Sequence, residues 1–334
     1  MRYKNFMQII VIIFLLIPTT AFSAGWSSMT SGTSEWLKGV WGSSDTDVFA
    51  VGESGTILHY NGSAWSAMTS GTTEALEAVW GSSGMDVFAV GADGTLLHYN
   101  GSMWSPIASG TNNWLHGMWG ISGMNAFCVG NSGIILNYNG SKCSQMSSWT
   151  DHHLLGVWCS PGLRAFAVGA GGTIGQNNGM MMMWSGMASG VTNDLRCIWG
   201  SSDIDIFAAG DSGTMLHYNG SGWSPMTSGT GNSFHGMWGS SGTDVFAVGD
   251  SGSILHYNGS GWSKMTSGTG DSLSGVWGSS VTDVFAVGDS GTILHYSQSA
   301  CTTWADVINK YTEYVNGPAP WSDVMDCYSA YASH

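Results

Sequence analysis

Residues 248–265 read VGDSGSILHYNGSGWSKM, and residues 209–226 read AGDSGTMLHYNGSGWSPM. In each, a run of β-favouring residues meets Asn-Gly and is followed by a second run opened by Trp. Asn-Gly between such runs is the strongest short hairpin signal, because both central residues must accept positive φ. Aligning that Trp along the chain gives Trp26, Trp65, Trp104, Cys143 in the Trp slot, Trp184, Trp223 and Trp262. Every step is 39 residues except the 41 from Cys143 to Trp184, whose extra residues fall in the Met180–Met183 run. Trp41, Trp80, Trp119, Trp158, Trp199, Trp238 and Trp277 form a second series in phase with the first. Seven copies of one unit therefore fill residues 25–299, the period of a repeat architecture.

Each unit holds four strand candidates, represented by Leu37–Trp41, Asp47–Val51, Thr56–Tyr60 and Trp65–Met68. Near-continuous apolar runs such as VFAV suit strands buried on both faces. Four strands in about 40 residues, repeated, are the sequence form of a propeller blade. The fold expected is all-β: a seven-bladed β-propeller of four-stranded antiparallel blades. The mature chain begins with a fourth-type strand at Trp26, and its repeats end with a third-type strand at Ile293–Tyr296. The N-terminal strand is thus expected to complete the last blade. The region of Cys301, 39 residues after Trp262, competes for that place but lacks the consensus.

The repeat accounts for a composition of 50 Gly and 18 Trp with only 9% charged residues. Eight Lys and Arg face 22 Asp and Glu, a net charge of −14, which leaves no basic footprint for nucleic acid or an anionic membrane. Residues 1–24 stand apart. Arg2 and Lys4 precede an apolar run, Phe6–Leu16, and Ala21-Phe22-Ser23-Ala24 supplies small residues for cleavage, as in a secretory signal peptide. The run is short of the ~20 residues that a spanning helix needs. The expectation is export to the periplasm, cell envelope or medium, with no membrane span after cleavage. Losing Arg2 and Lys4 takes the eight basic residues to six and the charge from −14 to −16.

The hairpin resembles that of sialidase-type Asp-box, or BNR-like, propellers and of the photosystem II assembly factor-type family. Gly249, Gly252, Ile254, Asn258, Gly259 and Trp262 follow the order of that repeat. The resemblance implies a propeller over 25–299 and leaves function open, because such propellers host many roles. Asn61, Asn100, Asn139, Asn219 and Asn258 stand where the family would have Asp. Sialidase chemistry, which the resemblance would imply, needs an Arg cluster to clamp a carboxylate. The mature chain has only Arg164, in the slot of Asp47, and Arg196, in the slot of Lys38.

Several recurring residues are explained by the repeat itself. The Asn-Gly-Ser triplets match the glycosylation sequon, but hairpin geometry accounts for them. His59, His98, His217, His256 and His295 share one slot; symmetry-related slots away from an axis do not converge on one metal, so they are read as structural. No metal or cofactor is expected. Glu53, Asp93, Asp211, Asp250 and Asp289 are read as one acidic series capping the turn between second and third strands.

Variation between copies concentrates where the chain approaches the first strand. One slot reads Lys38, Glu77, His116, Leu155, Arg196, His235, Ser274, and two residues earlier Trp36, Ala75, Trp114, His153, Asp194, Ser233, Ser272. The slot between is always Leu or Phe. Chemical diversity on a copied scaffold is what a binding surface built from loops shows, although drift at exposed positions gives the same pattern. Trp36, Lys38, Glu77, Trp114, His116, His152, His153, Asp194, Arg196 and His235 are the candidate ligand contacts. The fourth unit departs most, with Trp149, Asp151, His152 and His153 before its first strand, Ile174-Gly175-Gln176 read in place of Leu-His-Tyr, and the Met180–Met183 insertion.

Six Cys in an oxidising compartment are able to pair, and Cys301–Cys327 is the pairing expected, a loop worth ~3 kcal/mol by chain entropy. The tail, 300–334, repeats Trp, Val, Tyr and Tyr at i, i+3, i+7 and i+10 on either side of Gly317-Pro318-Ala319-Pro320. That spacing predicts a short helical hairpin. The function expected is a monomeric recognition module that binds a glycan or protein partner around the central channel. Two alternatives stand beside it. One is a glycan-active hydrolase or lyase, for which Glu77 and Asp194 are the nearest to a carboxylate pair; the other is a structural envelope propeller.

Overall fold

The computed structural model describes residues 25–162, 164–177 and 183–297, together with Trp304, Val307, Ile308, Tyr311 and Thr312. The signal peptide expected over 1–24 and the disulfide expected between Cys301 and Cys327 lie outside the described residues. Between 25 and 297 the chain forms seven four-stranded antiparallel sheets, the blades of a propeller. After β1 (Gly25–Met29), blade one consists of β2 (Leu37–Ser44), β3 (Asp47–Gly52), β4 (Ile57–Tyr60) and β5 (Trp65–Met68). Blades two to six repeat it over 76–106, 115–145, 154–187, 195–225 and 234–265, and the last repeat runs 273–297.

The innermost strand runs past the expected Trp41 to Ser44, bulging between Gly42 and Ser44 as it enters the turn. β3 is the buried centre of the blade, with Val48, Phe49, Ala50 and Val51 excluded from solvent. At the end of β3 a tight turn, Glu53–Gly55, puts Ser54 at φ 55. In blade two Asp93 takes that left-handed position at φ 50. The acidic series is therefore offset there: Ala92, not Asp93, stands in the place of Glu53.

Blades interlock through the second Trp series. The Trp41 ring lies where a side chain on Gly81 would stand, 2.6 Å from an added Cβ, and Trp277 of the last repeat lies on Gly42 of the first in the same way. The innermost strands follow one another around the ring, the last (Leu273–Ser280) against β2. In the sheet of residues 273–297 the fourth strand is β1, in register Trp26↔Tyr296 and Met29↔Ile293. Trp26 stands edge-on to Phe246 of blade six at 6.3 Å and 82°, as Trp65 of blade one stands to Phe285 of the last repeat at 6.1 Å and 82°.

Of the tail, the five described residues are helical, and Thr312 Oγ1 donates to Ile308 O at 2.8 Å. The second half of the expected hairpin lies outside the described residues. Among the described residues no helix is long and apolar enough to cross a membrane.

Candidate functional site

The variable residues sit where each innermost strand begins. The Leu or Phe between them is fully buried in every blade, and the backbone beside it is tied to the turn after the second strand. Glu53 N donates to Trp36 O at 2.9 Å, Asn131 N to Trp114 O at 2.9 Å and Asp211 N to Asp194 O at 2.9 Å. A buried anchor and a backbone clamp thus fix the side chains on either side, one on each blade, on one face around the ring.

That geometry brings together two slots the sequence reading treated separately. The residue after the anchor meets the first residue of the turn in its own blade. Lys38 Nζ lies 3.2 Å from Glu53 Oε1. Arg196 holds Asp211 through Nε at 2.5 Å and a second nitrogen at 3.2 Å. His235 Nε2 meets Asp250 Oδ1 at 2.7 Å, and His116 Nε2 meets Asn131 Oδ1 at 2.7 Å. Glu77 stands opposite Ala92, Leu155 opposite Ala170 and Ser274 opposite Asp289, so the cations of this slot have acidic partners, while Glu77 has none across it and Asp289 Oδ1 none among the described residues. Side-chain bonding to Asp211 holds the Arg196 guanidinium above its ordinary value. Burial raises the Asp250 carboxyl, but the bond and charge of His235 and the N–H and hydroxyl of Ser233 outweigh it, and it titrates below the usual range. Glu53, Asp211 and Asp250 are partners of the first strand rather than the caps expected of them; Asp93 and Asp289 make no such bond among the described residues.

Other candidates stitch blades together. Trp36 Nε1 donates to Ser274 Oγ of the last repeat at 2.8 Å, and Lys38 Nζ lies 3.2 Å over its ring. His153 Nδ1 accepts from Ser132 N of blade three at 3.1 Å, and Asp194 Oδ1 from Gly171 N of blade four at 2.8 Å. His152 Nδ1 lies 2.9 Å from Thr173 Oγ1. Glu77 differs from all of these. It is half-buried and has no hydrogen-bond or ion-pair partner among the described residues. Its blade lies between those of Trp36 and Trp114, which remain 40% and 41% exposed. Asp194, its suggested catalytic counterpart, is not adjacent: the first strands of blades three and four stand between theirs.

At the opposite end of the blade, Ser43, Asp47 and His59 form a chain in which the carboxylate is central: His59 Nε2 meets Asp47 Oδ1 at 2.7 Å while Ser43 Oγ donates to Oδ2. The same arrangement recurs through Asp86, Asp205, Asp244 and Asp283. The histidine does not touch the serine, so it is in no position to take the hydroxyl proton as a nucleophile's base would. Its ring instead packs on the buried core: Phe49 and His59 are 4.6 Å apart. The histidine slot is structural, and among the described residues no cluster of His, Cys, Asp or Glu is arranged for a metal.

The fourth blade's departures compensate one another. Gly175, Gln176 and Asn177, one residue later than the register read from sequence, replace Leu58, His59 and Tyr60. Trp149 fills the room that the missing leucine leaves, 2.2 Å from a Cβ added to Gly175, and stacks on Trp184 at 5.4 Å. Arg164 in the aspartate slot donates to Gln176 Oε1 at 2.6 Å. Cys128, Cys143, Cys159 and Cys197 are free thiols. Burial pushes the Cys128 and Cys159 thiols far up and that of Cys197 to about 12.

No protein-family model matches the sequence, and no curated protein does. Solved structures do. The chain is similar to YCF48 bound to D1 peptide, with a TM-score of 0.70 and 16% identity over 85% of this chain and 100% of that one. YCF48 from Cyanidioschyzon merolae gives 0.68 and 16% over 82% and 99%. The WD40 repeats of RRP9 give 0.70 and 10% over 83% and 98%. At these identities the likeness is one of fold, and the fold is the seven-bladed propeller.

Proposed function

We propose that this chain is an exported propeller that recognises a protein partner on its variable face, at blades one to three. One observation carries the reading: Glu77 is a half-buried carboxylate without a partner, on a blade flanked by those of two exposed indoles, Trp36 and Trp114. Elsewhere on that face the charged candidates are spent on bonds within the protein. Large exposed aromatics on the blades either side of an unpaired carboxylate suit a segment that inserts a cationic side chain between apolar contacts. The net charge of −14 favours the approach of such a segment. The likeness to YCF48 bound to D1 peptide and to WD40 repeats supports a protein ligand. Aromatic stacking suits a glycan as well, so glycan binding is the second reading. The signal-like leader supports export, and the place of β1 beside Ile293–Ser297 supports closure of the ring by the N-terminal strand.

The test is capture from the exported fraction of the source cell. Immobilised protein is expected to retain a protein partner, and Trp36→Ala with Trp114→Ala to lose it while staying folded, with only the small fall in melting temperature that loss of the Trp36–Ser274 bond brings. Retention of a glycan but no protein would favour the second reading; undiminished capture by the double variant would overturn both.

A further inference from the structure

The face opposite the variable one carries its own sector of departures. Its turns follow the innermost strands, and neighbouring turns abut: a Cβ on Gly84 would strike Asp47 of the preceding blade, and one on Gly123 would strike Asp86. Among the described residues one slot in this ring of turns reads Thr46, Met85, Met124, Ile204, Thr243, Thr282. Blades two, three and five thus present Met85 at 72%, Met124 at 73% and Ile204 at 59% exposed, each lying over the glycine of its own Asn-Gly turn. Met103 stands exposed in the hairpin turn of blade two, and Met183 is exposed just before the strand Trp184–Met187. Inward of this arc a pocket of about 380 Å³ is lined by Trp119, Ile121, Trp158, Cys159, Pro161 and Trp199. Ser160, 1% exposed, also lines it, and its hydroxyl has no partner among the described residues, Arg164 standing in place of the aspartate that bonds the equivalent serine elsewhere.

Charge divides this face in the same place. Blades one, two, five, six and seven carry Asp47, Asp86, Asp205, Asp244 and Asp283, whereas blades three and four carry Asn125 and Arg164. Lys142 projects from the hairpin turn of blade three, where blade two has Met103. On a chain with eight Lys and Arg in all, two stand on blades three and four, whose described turns on this face carry no carboxylate of their own, although Asp86 and Asp203 of the flanking blades reach the edges at Gly123 and Gly162. We infer that this sector is a second docking surface, for a peptide segment that pairs apolar side chains with carboxylates. Methionine and isoleucine side chains adapt to apolar anchors, the tryptophan-lined pocket accepts one of them, and Lys142 and Arg164 attract the acidic groups.

The test is fluorescence anisotropy of three labelled twelve-residue peptides on the full chain: one of Leu, Phe and Glu, and its counterparts with Gln or Lys for Glu. The acidic peptide is expected to bind best. Met124→Ser with Ile204→Ser should weaken it at least tenfold and Lys142→Gln severalfold, with melting unchanged. Trp36→Ala with Trp114→Ala should leave it bound, which separates this surface from the variable face. Equal binding of the three peptides, binding of none, or self-association abolished by Met124→Ser with Ile204→Ser would overturn the proposal, the last by making the occupant a second copy.

Discussion

The indole of Trp41 lies over Gly81 of the next blade, 2.6 Å from where a β-carbon would be. The same relation joins Trp80 to Gly120, Trp158 to Gly200, Trp199 to Gly239, Trp238 to Gly278 and Trp277 to Gly42. The Trp-Gly dipeptide is thus half of two joints, its Trp reaching forward and its Gly receiving the Trp behind; the fourth repeat, with Trp158-Cys159, departs from it. Gly81→Ala is expected to cost about 1–3 kcal/mol by overpacking, and Trp41→Phe in the same chain to recover part of it. Chemical denaturation monitored by fluorescence measures both.

The Asp47–His59–Ser43 chain makes a different prediction. Asp47→Ala leaves half-buried His59 and exposed Ser43 without their partner and should lower stability by about 1 kcal/mol. Partner binding on the variable face should be unchanged. A loss of binding with stability intact would show that these groups act on ligand.

Asp250 gives a pH signature. Its carboxyl titrates below the usual range when folded, so its contribution is full above the unfolded value of ~3.9 and is lost as pH falls through the folded value. The difference in melting temperature between the protein and Asp250→Asn is expected to be positive at pH 7 and to shrink towards zero below pH ~4.

Thiol chemistry separates native from unfolded chain. In a Cys301→Ser, Cys327→Ser variant, Cys128, Cys159 and Cys197 should resist maleimide at pH 8 because burial keeps them protonated. Mass spectrometry should find them labelled only after denaturation. Cys143, half-buried, is expected to react first.

The fold was legible because its determinants are local and repeated: Asn-Gly turns, apolar second strands and two Trp series in phase. Asn61 shows how local they are, since its Oδ1 accepts the backbone N–H groups of Ser63 and Ala64. The candidate site was half legible. Sequence variation picked out the slots of Lys38 and Arg196, but what they do depends on contacts across 15 residues. The pairing was nonetheless partly present as internal covariation, cations opposite Glu53 and Asp211, Glu77 opposite Ala92 and Leu155 opposite Ala170, with Ser274 opposite Asp289 breaking it. It was hidden by aligning Asp93 one residue out of step. Trp149 was illegible for another reason: it sits at a position that is Gly in the other six repeats, and its role is filling space vacated at Gly175.

On the proposed reading recognition rests on Glu77, which faces no cation in its slot, while the charge pairs of the other blades tie strand to turn within each blade. The direct measurement is calorimetric affinity for the captured partner of two variants, Glu77→Gln and the doubly neutral Arg196→Met with Asp211→Leu. The account predicts about a tenfold loss for Glu77→Gln, or ~1.4 kcal/mol, and less than twofold for the neutralised pair. A tenfold loss from the pair with Glu77→Gln silent would contradict it.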